Sequence, residues 1–83
     1  MKEAKFINVS NCYRTEKFNL LCDELEKGES VHIYVDCIGH TRREMVTEEY
    51  EEALQKKYGD RLCKEGKYLS DTEYFLKQPI ETA

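Results

Sequence analysis

The sequence lacks several features that would narrow its class. Its 83 residues include no tryptophan, one proline and four glycines, and no apolar run exceeds three residues. We therefore predict no membrane-spanning segment. No apolar stretch typical of a secretory signal peptide follows residues 1–5, so we expect a cytosolic protein. C-x-x-C spacing is also missing, and in a reducing cytosol we expect free thiols at the four cysteines, Cys12, Cys22, Cys37 and Cys63.

Basic residues are the minority charge. The chain has 13 Lys and Arg against 17 Asp and Glu, a net charge of -4. Clustered lysine and arginine supply nonspecific affinity for DNA and RNA, so we do not expect direct nucleic-acid binding. A chain of this length forms one small domain with a thin core. We predict that residues 1–78 form this α/β domain and that residues 79–83 form a flexible tail.

Two runs of β-branched residues flank a helical pattern. Residues 5–9 and 31–35 are predicted strands, because each places aliphatic side chains at alternate positions. Between them the spacing i, i+3, i+4, i+7 predicts a helix over about residues 14–27, with an apolar stripe of Phe18, Leu21, Cys22 and Leu25. A strand-helix-strand unit of this kind requires parallel strands and a right-handed crossover.

The second half of the chain predicts one more helix and one more strand. Thr47, followed by two glutamates, is typical of a helix N-cap, and the helical spacing continues to Gly59. We expect residues 60–65 to add a turn. Residues 68–76 alternate as a strand does, although a capping box within this range also fits a short helix. We predict the strand, because a sheet of two strands would be marginal on its own.

The predicted fold is therefore α/β: a small two-layer β-α-β-α-β sandwich with two helices on one face of a three-stranded sheet. Each predicted strand has one aliphatic face and one mixed face. A sheet covered by helices on both sides would be apolar on both faces. We therefore expect the helices on the aliphatic side and a partly open mixed face.

In the predicted parallel unit, the loops at residues 10–14 and 36–43 leave the same edge of the sheet. This carboxyl edge is where open α/β folds bind ligands. The loops are locally basic, and the first helix would begin beside them with free N–H groups, which suits a phosphate or carboxylate group. The alternative is that the arginines pair with nearby glutamates on a solvated surface. The candidate anion-binding residues are Asn11, Arg14, His40, Thr41, Arg42 and Arg43.

The same loops contain the candidates for metal binding and catalysis. Cys37-x-x-His40, together with Cys12, has metal-ligand spacing, but the paired C-x-x-C halves of a typical zinc site are absent, so we predict neither a metal nor a cofactor. Cys37 and Arg43 have the offset of a phosphatase loop. The residues between them contain one glycine and would cradle a phosphate poorly. We assign no catalytic residue and favour a binding protein over an enzyme.

Two surfaces are candidates for a protein partner. The mixed sheet face offers Phe6, His32 and Tyr34, and aromatic side chains of this kind are enriched in protein interfaces. The second helix offers Glu48, Glu49 and Glu52, whose carboxylates can imitate a phosphate backbone. The alternatives are a tail folded over the sheet face and an ordinary solvated helix face. A homodimer through the open sheet face is a further hypothesis.

In size, acidity and content of glutamate and tyrosine, the chain resembles the small proteins that phages and mobile elements use against host machinery, such as anti-CRISPR proteins. The resemblance is one of composition. It implies a binding protein that inhibits a nucleic-acid-handling host enzyme. The alternative function is a nucleotide- or anion-binding domain, or a minimal phosphoester enzyme, that uses the two loops at the carboxyl edge.

Overall fold

The computed structural model describes residues 4–36, 39–66 and 72–77. Within these ranges the chain forms two α-helices and one four-stranded sheet, which confirms the α/β class. A 3-10 turn at Gly59–Arg61 connects the second helix to the third strand. The elements in chain order are β1 (Lys5–Asn8), α1 (Thr15–Glu26), β2 (Val31–Tyr34), α2 (His40–Tyr58), β3 (Leu62–Glu65) and β4 (Glu73–Leu76).

The strand order in the sheet is β1-β2-β4-β3. β1 and β2 pair in parallel, as the strand-helix-strand unit requires. β4 lies between β2 and β3 and runs antiparallel to both, pairing with β2 at Val31 and His32. The sheet therefore consists of a parallel pair and an antiparallel hairpin that are joined through β4.

The two helices lie on one face of the sheet, as predicted. Buried side chains of α1 and α2 form one core cluster with the aliphatic side chains of β1 and β2. The helices also contact each other, because the Tyr58 hydroxyl donates a hydrogen bond to the Glu26 carboxylate over 2.6 Å. The fully buried side chains at the centre of this core include Leu21, Leu25, Val31, Val46, Tyr50 and Leu54.

The prediction for α2 was wrong at its start. The helix begins at His40, seven residues before Thr47, so residues 40–43 form its first turn and not a loop. Thr47 is buried inside the helix, and its hydroxyl donates to the Arg43 carbonyl over 2.8 Å. The bond satisfies the threonine within the helix. Gly39 occupies the N-cap position in an extended conformation.

The sheet has one strand more than the three predicted. Residues 62–65, which we expected to add a helical turn, form β3 instead. Gly59, with φ of 57°, ends α2, and Leu62 then pairs with Leu76 in the hairpin. The residues of β4 that pair with β3 lie 8 to 14 positions later in the chain, so local spacing did not reveal the strand.

The remaining element predictions agree with the structure where it describes the chain. α1 begins and ends within one residue of the predicted bounds, and residues 73–76 form a strand and not a short helix. The earlier part of the predicted 68–76 strand and the predicted tail at 79–83 lie outside the described residues. Neither described helix combines the length and apolar character needed to cross a membrane.

Candidate functional site

The structure places the two carboxyl-edge loops side by side. The backbone N–H of Val9 donates to the Tyr34 carbonyl over 2.8 Å, and that of Asp36 donates to the Ser10 carbonyl over 3.1 Å. These bonds continue the parallel pairing beyond β1 and β2. Ser10 then turns the chain with φ of 61°, and its N–H donates to the Asn8 side-chain oxygen over 2.8 Å. The edge predicted from the topology is therefore present.

Arg42 connects the start of α2 to the loop that follows β1. Its Nε–H donates to the Asn11 carbonyl over 3.1 Å, which ties the first turn of α2 to the segment between β1 and α1. Both helices begin at this edge, α1 at Thr15 and α2 at His40. Unpaired N–H groups of a helix N-terminus favour negative charge nearby. The two helix starts therefore add positive partial charge at this edge.

The predicted anion-binding residues are brought to one edge, and most of them are exposed to solvent. The His40 imidazole lies 3.0 Å from the Glu44 carboxylate, one helical turn later. A carboxylate therefore shares this edge with the predicted cationic groups. We considered pairing between the arginines and nearby glutamates as an alternative to anion binding. The structure shows a pair of this kind between His40 and Glu44.

Tyr50 holds the loop between β1 and α1 through hydrogen bonds from the core, a role that the sequence did not reveal. Its ring is fully buried, and its hydroxyl accepts a hydrogen bond from the Arg14 N–H over 2.9 Å. The same hydroxyl donates to the Cys12 carbonyl at 3.4 Å. Burial raises the pKa of Tyr50 above its ordinary value. The sequence signal that could have indicated this role is a tyrosine at a core position of a helix, because a buried hydroxyl requires a hydrogen-bond partner.

The metal hypothesis receives no support from the described residues. Cys37 lies outside them, and Cys12 is a half-buried free thiol. The His40 imidazole pairs with Glu44. Within residues 4–36, 39–66 and 72–77, no three His, Cys, Asp or Glu side chains are close enough to hold a metal ion. The three candidate ligands therefore remain a pattern in the sequence.

The glutamates of the acidic run on α2 point in two directions, some towards solvent and one towards the core. Glu48, Glu49 and Glu52 are exposed on the outer side of the helix. They border two shallow grooves, of about 670 and 220 Å³. Apolar side chains contribute to the same grooves, because Tyr13 and Ala53 line the larger one and Met45, which is 51% exposed, lines the smaller one. We call this the acidic surface: Tyr13, Met45, Glu48, Glu49, Glu52, Ala53, Gln55 and Lys56.

Glu51 points the other way, into the protein. Its side chain is 7% exposed, and both carboxylate oxygens accept hydrogen bonds from the Lys64 ammonium, over 3.1 and 3.2 Å. The Tyr74 hydroxyl lies 3.5 Å from the same carboxylate. Burial and the neighbouring Glu51 charge raise the pKa of Tyr74. This polar cluster connects α2 to the β3–β4 hairpin, and the linear sequence gave no sign of it.

The mixed sheet face is partly exposed among the residues that the structure describes. Phe6 is 70% exposed and Tyr34 is 50% exposed. The Phe6 ring lies against the His32 ring with a centroid distance of 4.6 Å. We call this the open face: Phe6, Asn8, His32, Tyr34, Cys63, Glu65, Glu73 and Phe75.

The chain matches no known family model, and neither the curated proteins nor the solved structures compared with it include a match. The geometry of the described surfaces is therefore the basis for proposing a function.

Proposed function

We propose that the protein acts in the cytosol by binding another macromolecule through the acidic surface of α2. The observation that carries this proposal is that three exposed carboxylates share adjacent grooves with the exposed Met45 and with the half-buried Tyr13 and Ala53. Carboxylates alone would describe an ordinary solvated helix face. Apolar groups beside them supply the contact area that an interface requires.

The charge pattern defines the chemistry of the partner. Glu48, Glu49 and Glu52 outnumber the one basic side chain that lines the grooves, Lys56. A partner with lysine or arginine around an apolar ridge complements this arrangement, and such complementarity accelerates encounter as well as favouring the correct pairing. The partner that fits is therefore a basic protein surface or a basic amphipathic helix.

The finer version of the proposal is an inhibitor of a nucleic-acid-handling host enzyme. Such an enzyme has a basic groove for a phosphate backbone, and Glu48 and Glu52 stand one helical turn apart on a rigid helix. The compositional resemblance to phage and mobile-element proteins supports this version. Adding the protein to such an enzyme should lower its activity, and a large excess of nucleic acid should restore it.

The binding test uses a defined probe. A fluorescein-labelled amphipathic peptide, with lysine and arginine on one face and leucine on the other, is titrated with the protein and followed by anisotropy. Charge reversal by Glu48→Lys, Glu49→Lys and Glu52→Lys should weaken binding at least about tenfold. Raising the salt concentration from about 0.05 to 0.5 M should weaken the wild-type complex and have less effect on the variant.

A matched control separates a specific surface from net charge. The reversals Glu16→Lys, Asp23→Lys and Asp60→Lys change three exposed acids away from the grooves and give the same net charge. This control should bind the peptide much as the wild type does. Equal loss of affinity in both triple variants would show nonspecific charge attraction, and the proposal would then be abandoned.

A second candidate function is anion binding at the carboxyl edge, alone or as part of a minimal phosphoester enzyme. The observation that favours it is the bridge from Arg42 to Asn11, which holds two helix starts together beside several basic groups. A phosphate or nucleotide would accept hydrogen bonds from this edge. The guanidinium of Arg14 would contribute charge.

Thermal unfolding with inorganic phosphate, ATP and AMP tests this second candidate. Ligand at about a hundredfold excess over its Kd should stabilise the protein by about 2.7 kcal/mol. Arg14→Ala and Arg43→Ala should reduce that stabilisation, while Lys56→Ala, on the acidic surface, should not. The candidate fails if no anion raises the melting temperature, or if the increase is the same in all three variants.

A further inference from the structure

β1 is an outer strand of the sheet, and one of its two backbone edges is free. Among the residues that the structure describes, it pairs with β2 alone. The N–H groups of Lys5 and Val9 donate to carbonyls in or next to β2, each over 2.8 Å. Backbone groups alternate in direction along a strand, so the N–H and C=O groups of Phe6 and Asn8 point away from β2. A free edge of this kind is a template for pairing with another extended chain.

A groove between β1 and α1 adjoins this edge. Its volume is about 360 Å³, and its lining residues are Lys5, Phe6, Ile7, Leu20 and Glu24. Leu20 on α1 is 48% exposed, and Ile7 is half-buried against the core. The Phe6 ring lies on the opposite side of the sheet, on the open face, where it contacts His32. Apolar side chains therefore flank the free edge on both sides of the sheet, where they would contact the side chains of an added strand.

A cation lies at the amino end of the same strand. The Lys5 ammonium donates to the Glu24 carboxylate over 2.7 Å, and the lysine side chain remains 53% exposed. An ammonium group has three N–H donors, so Lys5 has donors left for a second carboxylate. Opposite charges that face each other across two strands are favourable. An acidic side chain therefore suits the position opposite Lys5 on an added strand.

Antiparallel addition uses the free backbone groups with the shortest partner segment. Phe6 and Asn8 would each exchange two hydrogen bonds with one residue of the added strand. The residue between those two would face Ile7, and its side chain would project into the groove beside Leu20. The next residue after the one that faces Phe6 would face Lys5. Each position of the added strand is thus matched to a different environment.

We propose that β1 binds an extended segment of a partner protein as a fifth, antiparallel strand of the sheet. In the direction of the added chain, its four residues are polar opposite Asn8, large and aliphatic opposite Ile7, β-branched or aromatic opposite Phe6, and acidic opposite Lys5. This edge shares no residue with the acidic surface of α2. Binding at the edge and binding at the acidic surface can therefore each fail without the other.

A second copy of β1 fits this edge less well than a foreign segment does. Two antiparallel registers use the free backbone groups of both copies. With Ile7 facing Ile7 of the copy, Lys5 faces Val9, and with Phe6 facing Phe6, Lys5 faces Ile7. Both registers place the lysine opposite an aliphatic side chain, and a lysine on an edge strand is a known protection against self-pairing.

Anisotropy with a labelled peptide tests the added strand. The peptide contains the core Thr-Leu-Val-Glu with both ends capped, and we expect a dissociation constant on the order of 100 µM because the contact is small. N-methylation of the valine removes the N–H that would donate to the Phe6 carbonyl, so it should weaken binding at least about tenfold. N-methylation of the leucine removes an N–H that points away from β1, so affinity should change less than about twofold.

Variants of the protein test the side-chain positions. Leu20→Gln should weaken binding about fivefold, because it replaces the apolar wall of the groove. Met45→Gln is the matched control, since Met45 is 51% exposed on α2 and lies outside this groove. Lys5→Glu should weaken binding of the same peptide about threefold, and a peptide with lysine in place of the glutamate should recover the affinity.

Amide hydrogen exchange, followed by NMR, shows which backbone groups the peptide covers. The N–H groups of Phe6 and Asn8 should exchange rapidly in the free protein and slowly with the peptide, whereas that of Ile7 should exchange slowly in both. No binding up to about 1 mM peptide overturns the proposal. Equal binding of the two N-methylated peptides, or protection confined to other residues, does so as well. A dimer of the chain that already protects Phe6 and Asn8 also overturns it, because a second copy then occupies the edge.

Discussion

Tyr50 combines two roles at the scale of a single residue. The ring fills the core between α2 and the first loop, and the hydroxyl satisfies the backbone N–H of Arg14. A leucine or phenylalanine at this position would supply the packing without the hydrogen bond. The conformation of the loop that precedes α1 therefore depends on one buried oxygen atom.

Removing that oxygen should measurably destabilise the protein. In Tyr50→Phe the partly buried Arg14 N–H loses its partner, and a donor left unsatisfied in a fully buried site costs about 1–3 kcal/mol. We expect a decrease of about 1–2 kcal/mol in the free energy of unfolding, measured by urea denaturation. Tyr34→Phe is the control, because Tyr34 is 50% exposed and the change should stay within about 0.5 kcal/mol.

Lys64 has a comparable role for the buried carboxylate of Glu51. Lys64→Ala leaves that charge without its cation, and breaking a buried pair costs several kcal/mol. The lysine side chain is 53% exposed, so water screens part of the interaction and we expect a loss of about 1–3 kcal/mol.

A double-variant comparison isolates this pair. Adding Glu51→Gln to Lys64→Ala removes the stranded charge, so the double variant should unfold at a higher urea concentration than Lys64→Ala alone. Lys56→Ala, an exposed change on the same helix, should have little effect. Equal destabilisation by the single and double variants would show that the lysine acts through packing of its stem.

At the scale of elements, the two ends of α2 depend on glycines of different kinds. Gly39 has φ of -76° and ψ of 125°, values that any residue can adopt at an N-cap. A Cβ there would meet the Arg42 Cβ at 3.7 Å, an ordinary contact. Gly59 has φ of 57° and ψ of -128°, which side chains disfavour although the space around it is empty.

The two glycines should therefore respond in opposite ways. Gly39→Ser should stabilise the protein by about 0.5–1 kcal/mol, since serine can cap α2 and restricts the unfolded chain. Gly59→Ala should destabilise it by about 1–3 kcal/mol through backbone strain. Melting temperatures by circular dichroism would show the contrast. Stabilisation by both changes would contradict the assigned backbone conformations.

Elements with their own local signal could be predicted from the sequence. The apolar stripe of α1 and the alternation of β2 are visible within a few residues, and the parallel rule then placed the ends of β1 and β2 at the same edge. The start of α2 was missed because residues 40–46 contain only Val46 and Met45 as apolar markers, too few to show a period. β3 was missed because residues 62–65 form a strand through their pairing with β4, and their own sequence does not show that pairing.

The polar contacts of the candidate surfaces were beyond the sequence for a different reason. Periodicity indicates that a side chain is buried and does not indicate which polar group it meets. Glu51 belongs to a run of glutamates, and only the fold directs it towards Lys64 while its neighbours face solvent. The direction of Arg42 towards Asn11 likewise depends on the early start of α2.

At the scale of the whole molecule, buried tyrosines should limit stability in alkali. Burial raises the pKa values of Tyr50, Tyr58 and Tyr74 above their ordinary value of 10.0, and the Glu26 carboxylate adds to the effect at Tyr58. Above about pH 10 the unfolded chain therefore loses protons that the folded chain keeps. The unfolded state then binds fewer protons, so the free energy of unfolding falls as the pH rises.

Urea denaturation between about pH 8 and 12 would measure this loss. The tyrosine contribution to stability should be constant up to about pH 10 and should decrease steadily above it. Tyr74→Phe should lower stability near neutral pH, and its curve should be less steep in alkali because one of the shifted groups is gone. Parallel curves for the two proteins in the alkaline range would contradict the assignment of this effect to Tyr74.

β4 stands between β2 and β3 in the sheet, yet it follows both of them in the chain. A growing polypeptide can form the unit of β1, α1 and β2 early, but β3 pairs with β4 within the described sheet and has to wait for it. The four-stranded sheet therefore cannot form until β4 has been synthesised. A nascent chain that has not yet extended to Glu73 would expose unpaired strand edges to chaperones and proteases, so the speed of translation through this short segment would influence how much protein reaches its folded state.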